Sequence, residues 1–414
     1  MTEHKHLKQL VRSRMQKTGE SYSTARQQIV KQAPDTPESN SLPHHFSGRN
    51  PVATALRSLL AHAGVRNAHT KAPFSEAMVF GFDGGIGAGM FAFHYAKEKF
   101  SSFYVAGRHG WQDDANWTAG ARKRLGVTSI VKESTGVKPA EKHLRELLEG
   151  GRPVMAWVDA SHLPHRSMPA SWSGGGYHVI TVYDIDDDAG TALIGDLADR
   201  PIPIPLTDLA QARGRIKKFK NRILALEPSG KSPALEPLVR SSIQACVDGL
   251  VKCKMKNFTL EAFKTWADKL DGSKAADSWE KIFPPGPLLY TGLWSVYEFI
   301  ERFGTGGGLF RPMFAEFLGE AGAALSDSKL GALAKRYAEL GRDWSALARA
   351  ALPDTVPALR EVREMPTLTD RVAATKRDFP LDARQSAALR RDLKARVTAL
   401  HEAEVAALDE LGRS

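Results

Sequence analysis

Every stretch of this chain that reads as β-strand lies before Pro228, and from Leu235 onward nearly everything reads as helix. The helical spans run Leu235–Met255, Leu260–Leu270, Leu288–Phe303, Leu309–Leu325, Lys329–Leu352 and Asp382–Leu411, with PPGP at 284–287 and GTGGG at 304–308 as breakers. Such segregation predicts an α+β domain with a mixed or antiparallel sheet over residues 42–228, then an all-α helical bundle over 229–414. In the last helix Leu393, Val397, Leu400, Leu408 and Leu411 fall near one face. That face is either a core edge or a homodimer pairing surface between two copies.

Charge sets the ends apart. Of the formal +10, residues 1–32 contribute +5, from Lys5, Lys8, Arg12, Arg14, Lys17, Arg26 and Lys31 against Glu3 and Glu20. Residues 4–31 read as two short helices, so residues 1–32 form a basic helical appendage joined by a Pro- and Ser-rich linker, 33–48. Nucleic-acid binding is left open by this charge, but no base-reading pattern accompanies it. No apolar run approaches ~18 residues, so no membrane span is expected. The first residues also lack the apolar core of a signal peptide, which makes a cytoplasmic location the expectation.

The chain has two cysteines. Val239, Ile243, Cys246, Leu250 and Cys253 are spaced as one helix face, which makes both thiols core residues. Neither belongs to a zinc-spaced cluster, and no metal or cofactor is called for.

The segment GRNPVATALRSLL predicts a helix over Val52–Ala63 with Pro51 in its first turn, where the missing N–H has no partner to lose. FSEAMVFGFDGGIGAG reads as a helix capped by Ser75, with Glu76 in its first turn, running into Gly84, Gly85, Gly87 and Gly89. These glycines fit neither the dinucleotide fingerprint nor a P-loop. They allow close packing or backbone approach to a substrate. GRPVMAWVD is a strand ending at Asp159.

Ser171–Asp199 carries the β-hairpin signal. Gly174, Gly175 and Gly176 lead into a strand from His178 to Ile185, and a second strand ends at Asp196. With a loop of Asp186–Gly190, Ile185 faces Thr191 and Ile180 faces Asp196. His178 and Asp196 then share a sheet face, diagonally related and roughly 7–8 Å apart at Cα. A single bulge would put them on opposite faces. The two residue types suit a base and its orienting acid, the partners of a nucleophilic triad. Equally, His178 can be a packed strand residue and Asp196 a turn cap.

The ordered segments GRNPVATALRSLLAHAGV, PFSEAMVFGFDGGIG, LLEGGRPVMAWVD, GGGYHVITVYDID and IGDLAD together resemble the N-terminal domain of the butirosin biosynthesis protein H family. GTGGGLFRPMFAEFLGEA and YAELGRDWSALA resemble the helical domain of unknown function that often follows it. The resemblance spans roughly residues 42–352. It implies a papain-like fold for the first domain, with His178 as base and Asp196 as orienting acid. The family's cysteine position falls at Pro51, so no thiol nucleophile is present; Ser47 is the nearest hydroxyl upstream.

Two functions follow from that resemblance. One is an acyltransferase or amide-forming enzyme of specialised metabolism, in which a thioester donor is attacked directly. Its partners would be a small-molecule substrate and an acidic acyl carrier protein. The other is a catalytically silent papain-like module that holds a small ligand or a partner protein. In both, Asn50, Glu76, Gly84, Gly85, Gly87 and Asp159 are the candidate substrate-binding residues.

Overall fold

The order of strands in the main sheet explains why GRPVMAWVD contains no alternation. A computed structural model describes residues 42, 44–95, 97, 100–108, 118–303 and 306–414. The basic appendage, 1–32, and the linker up to residue 41 lie outside the described residues. Contacts divide the chain into Met1–Leu42 and Pro43–Ser414, and the second unit is described here.

Its helices and strands begin with α1 (Pro51–His62), α2 (Glu76–Phe82), β1 (Gly89–Tyr95), β2 (Phe100–Ala106), α3 (Ala119–Leu125), β3 (Ser129–Lys132), α4 (Val137–Glu149) and β4 (Val154–Asp159). They continue with β5 (Tyr177–Asp186), β6 (Thr191–Gly195), β7 (Ile202–Pro205), α5 (Leu206–Arg215) and β8 (Ile223–Leu226). Six strands form one sheet in the order β3-β8-β4-β5-β6-β7, and every pairing is antiparallel. β4 sits inside it and is buried at every position, because both faces of the sheet are covered. Val154, Ala156, Val158 and Ile180 pack with Leu144 and Leu147 of α4 and Leu209 and Ala212 of α5. On the other face Met155, Trp157 and Val179 join a core that includes Leu56 and Leu59 of α1.

The β5–β6 hairpin departs from the expected register twice. Asp186 pairs with Thr191, so the strand is one residue longer and the loop one shorter than expected. A bulge between Val182 and Asp184 then shifts the register back, and Thr181 pairs with Gly195. That last pair belongs to the register in which Ile180 faces Asp196. The bulge therefore does not separate His178 from Asp196, because the shorter loop offsets it.

The other β element is a hairpin of β1 and β2, which the glycine-rich stretch before it concealed. Its inner face carries Phe103, which packs 5.1 Å from Trp266 and 5.0 Å from Trp279 between ring centroids.

The helical region comprises α6 (Leu235–Lys252), α7 (Glu261–Leu270), α8 (Trp279–Ile282), α9 (Pro287–Tyr297), α10 (Arg311–Leu325), α11 (Ser328–Ala351), α12 (Pro357–Glu364), α13 (Leu368–Ala374) and α14 (Ala383–Leu411). Expected boundaries hold to within a few residues, but α12 and α13 are too short to have shown a period. A π-helical turn, Glu298–Arg302, extends α9. The face of α14 formed by Leu393, Val397, Leu400, Leu408 and Leu411 is buried within its own chain. It is a core edge and is not free to pair two copies. Cys246 is buried, with its thiol pushed up to about 12 by desolvation, and Cys253 is half-buried.

One buried ion pair ties the two regions together. Arg311 Nε donates to Glu404 Oε1 at 2.6 Å, and Trp344 Nε1 donates to the same oxygen at 2.7 Å. Arg311 also donates to the carbonyl of Gly87 at 3.1 Å. The glycine-rich passage between α2 and β1 is thereby fastened to α10, α11 and α14. No helix among the described residues is long and apolar enough to cross a membrane.

Candidate functional site

β5 and the turn after β6 bring the imidazole of His178 to the carboxylate of Asp196. His178 Nε2 lies 2.9 Å from Asp196 Oδ1. A second histidine, His165, places its Nε2 2.8 Å from Oδ2 of the same carboxylate. Both contacts need an N–H facing an ionised acceptor, which assigns the proton of His178 to Nε2 and leaves its Nδ1 with a lone pair.

Arg166 completes the group. Its Nε is 3.5 Å from Asp196 Oδ2, and one terminal nitrogen is 3.3 Å from His178 Nδ1 and 3.2 Å from Nε2. An atom so nearly equidistant from both ring nitrogens cannot lie in the ring plane, where it would collide with Cε1. That nitrogen therefore stands out of the ring plane, within hydrogen-bond distance of Nδ1 as well as Nε2.

Electrostatics follow from burial and these contacts. Desolvation lowers the His178 pKa, and Arg166 adds to that effect against the pull of Asp196. Burial alone would raise the Asp196 carboxyl, but His178, His165 and Arg166 together hold it well below the usual carboxylate range. The pair is thus a neutral imidazole beside an anion at neutral pH, the protonation state of a general base.

Asp159 is fully buried and acts on the loop that carries His165 and Arg166. Its Oδ1 accepts from Ser161 N at 3.0 Å and Ser161 Oγ at 2.7 Å, and its Oδ2 accepts from Gly174 N at 2.6 Å. Gly176 passes so close that a Cβ there would sit 2.5 Å from Asp159 Oδ1. All hydrogen bonds found for this carboxylate go to its own loop, which gives it a positioning place.

The start of α1 carries a second set of polar contacts. Asn50 Oδ1 accepts from Ala53 N at 2.9 Å. Glu76 Oε1 accepts from the backbone N–H of Arg49 and of Asn50, each at 2.7 Å, and from Thr54 Oγ1 at 2.9 Å. A carboxylate among helix N-terminal donors is favoured by the dipole as well as by the bonds. Pro51 occupies the first helical position. Gly48 N donates to Leu197 O at 3.2 Å, which joins this segment to the residue after Asp196.

Gly85 and Gly87 face the helical region. A Cβ on Gly85 would meet the Phe314 ring at 2.6 Å, and Gly87 binds Arg311. Close packing against the helical region describes Gly85 and Gly87, whereas a Cβ on Gly84 would meet nothing within 4 Å. Helical residues also reach the site: Arg49 pairs with Glu316, Ser75 Oγ donates to Glu320 at 2.7 Å, and Thr369 Oγ1 donates to Ser167 O at 3.4 Å. His165, Arg166 and Glu316 were not foreseen. The loop SHLPHRSMPASW has no period to read, and Glu316 lies 267 residues from Arg49. Among the described residues no group of three or more His, Cys, Asp or Glu is placed to hold a metal ion.

Two family models match the chain. Residues 51–197 match the family model described as butirosin biosynthesis protein H, N-terminal, which begins at Pro51 and ends one residue after Asp196. Residues 207–379 match a domain of unknown function, DUF4872. No curated protein matches the chain. The chain therefore belongs, over residues 51–197, to the butirosin biosynthesis protein H N-terminal family, followed over 207–379 by that domain of unknown function.

Proposed function

We propose that the protein transfers an acyl group from a thioester donor directly to an amine or hydroxyl, with His178 as general base on a papain-like scaffold. The observation that carries this reading is the 2.9 Å contact between His178 Nε2 and Asp196 Oδ1, which puts the ring proton on Nε2 and leaves Nδ1 unprotonated, with Arg166 3.3 Å away as the donor an acceptor would displace. As the acceptor nitrogen attacks the thioester carbonyl, Nδ1 removes its proton. The C–S bond breaks, and the leaving thiolate recovers that proton from the imidazolium. Amide and thiol are the products, and no enzyme nucleophile is consumed. Small-molecule acceptors of specialised metabolism, with an acidic acyl carrier protein as donor, fit the family match and the chain's net positive charge. Thiol release from amino-acyl thioesters, measured with and without amine acceptors, is the test. Acceptor-dependent release that His178→Ala abolishes supports the reading; full activity of that variant overturns it.

A second reading is a silent binding module. Pro51 at the family's cysteine position favours it, as does Glu76, which already occupies the N–H groups of Arg49 and Asn50. Saturable ligand binding without product, unchanged in His178→Ala, would select it.

A further inference from the structure

The loop between β4 and β5 crosses from one core to the other, and the crossing carries His165 and Arg166. On one side Leu163 is buried with the apolar residues of α4 and α5. On the other, Met168 and Trp172 pack against the core that α1 shares with the helical region. Between them Ser167 holds φ +48°, a left-handed conformation that a serine keeps only where its surroundings fix it.

Two elements of the helical region touch this loop. The ring of Phe303 lies 5.3 Å from that of Trp172 between centroids, tilted by 34°. Thr369 Oγ1 donates to the carbonyl of Ser167, the residue directly after Arg166. At 3.4 Å that bond is long, so the ring contact holds more of the loop. Phe303 follows the π-helical turn Glu298–Arg302, and its N–H donates to Glu298 O at 2.7 Å. Thr369 stands in the first turn of α13. A buried ion pair joins the two elements. Arg371 of α13 grips Glu298 with two nitrogens, Nε on Oε1 and Nη2 at 3.3 Å from Oε2.

We propose that the helical region holds Arg166 at His178, with the Arg371–Glu298 pair as the brace and Phe303 and Thr369 as its two points of contact on the loop. None of these four touches His178; they are positioning residues. All four lie within residues 207–379, the domain of unknown function, which thereby gains a role. The charged and titratable groups that bear on His178 are Asp196, from the turn after β6, and Arg166 and His165 from the loop itself. A loosened loop withdraws Arg166 and His165 and leaves Asp196 in place, so His178 should become easier to protonate. The bearing of this brace on catalysis rests on the transferase reading; the brace itself does not.

The test is an NMR titration of the histidine rings in the full chain, with the His178 signals assigned by their loss in His178→Gln. Phe303→Ala should raise the pKa of His178 toward its value in Arg166→Met. Added to Arg166→Met, it should produce a much smaller shift, because the cation it acts through is gone. Phe303→Tyr keeps the ring and should titrate as the wild type does. Arg371→Lys keeps the charge but gives up the two-pronged grip, and should shift His178 in the same direction as Phe303→Ala. Phe303→Leu and Glu298→Gln, closer in shape to the native residues, replace either variant if it does not fold. A His178 titration unmoved by Phe303→Ala or by Arg371→Lys, or a shift of equal size with and without Arg166, overturns the inference. Acceptor-dependent thiol release is read separately. Shifts in His178 without release by the wild type keep the brace and sink the transferase, and release without any shift does the reverse.

Discussion

The guanidinium of Arg166 lies over the ring of His178, 3.2 Å from Nε2 and 3.3 Å from Nδ1. A fixed cation there disfavours the imidazolium, and burial disfavours it further. Arg166→Met should therefore raise the pKa of His178, observed as a shift of its ring resonances in an NMR titration. If His178 is the base, the acid limb of the rate profile should move to higher pH in the same variant. A ring titration unchanged by the substitution would contradict this electrostatic account.

The same shifts set the acid stability. His178 is lowered from its ordinary 6.5, so between 6.5 and its folded value the unfolded chain binds a proton that the folded chain does not. Asp196, lowered from 3.8, acts in the same direction at lower pH. Its stabilisation is present above 3.8 and is lost as pH falls through the folded value. Unfolding free energy should begin to decline below about pH 6.5 and continue to fall through the carboxylate range. In His178→Gln the first part of that decline should be absent from urea titrations.

Asp196→Ala removes the one anion shared by His165, His178 and Arg166 and leaves their donors without it. We expect a loss of about 3–5 kcal/mol. Asp196→Asn keeps an acceptor and should lose less. Chemical denaturation of the pair would decide whether charge or hydrogen bonding dominates.

Legibility in the sequence tracked periodicity. β4 and α14 were readable because burial imposed a continuous run in the first and one-sided spacing in the second. The His178–Asp196 pairing was reached through a register that is right at Thr181–Gly195, although the loop and the bulge were both misplaced. Bulges cannot be read from composition, because the extra residue, Tyr183, has the same strand propensity as its neighbours. His165 and Arg166 were illegible for another reason. They are positioned by Asp159 through bonds to Ser161 and Gly174, and such loop geometry leaves no repeat.

The glycines after α2 differ in what fixes them. Gly85, at φ +62°, also abuts Phe314, whereas Gly84, at φ +92°, faces open space. Gly84→Ala should cost about 1 kcal/mol, from backbone strain alone. Gly85→Ala adds a steric conflict with the helical region and should cost about 2–4 kcal/mol. Equal midpoints for the two variants would show that Phe314 yields freely.

Pro51, where the family resemblance puts a cysteine nucleophile, offers the sharpest test of the proposed chemistry. It opens α1, and the Gly48–Leu197 bond holds that start beside the Asp196 turn. A thiol placed there would feel the N-terminal end of the helix dipole, which lowers its pKa and favours thiolate. Proline contributes no N–H at this position, so Pro51→Cys adds one donor at the helix start. Glu76, already bonded to two neighbouring N–H groups, opposes the thiolate by its charge. We expect Pro51→Cys to form a covalent acyl adduct with amino-acyl thioesters, seen as a mass increase equal to the acyl group. In the double variant with His178→Ala, adduct formation should slow by at least about 10²-fold, the usual contribution of a general base. An adduct that forms equally fast without His178 would mean that the imidazole does not serve this position.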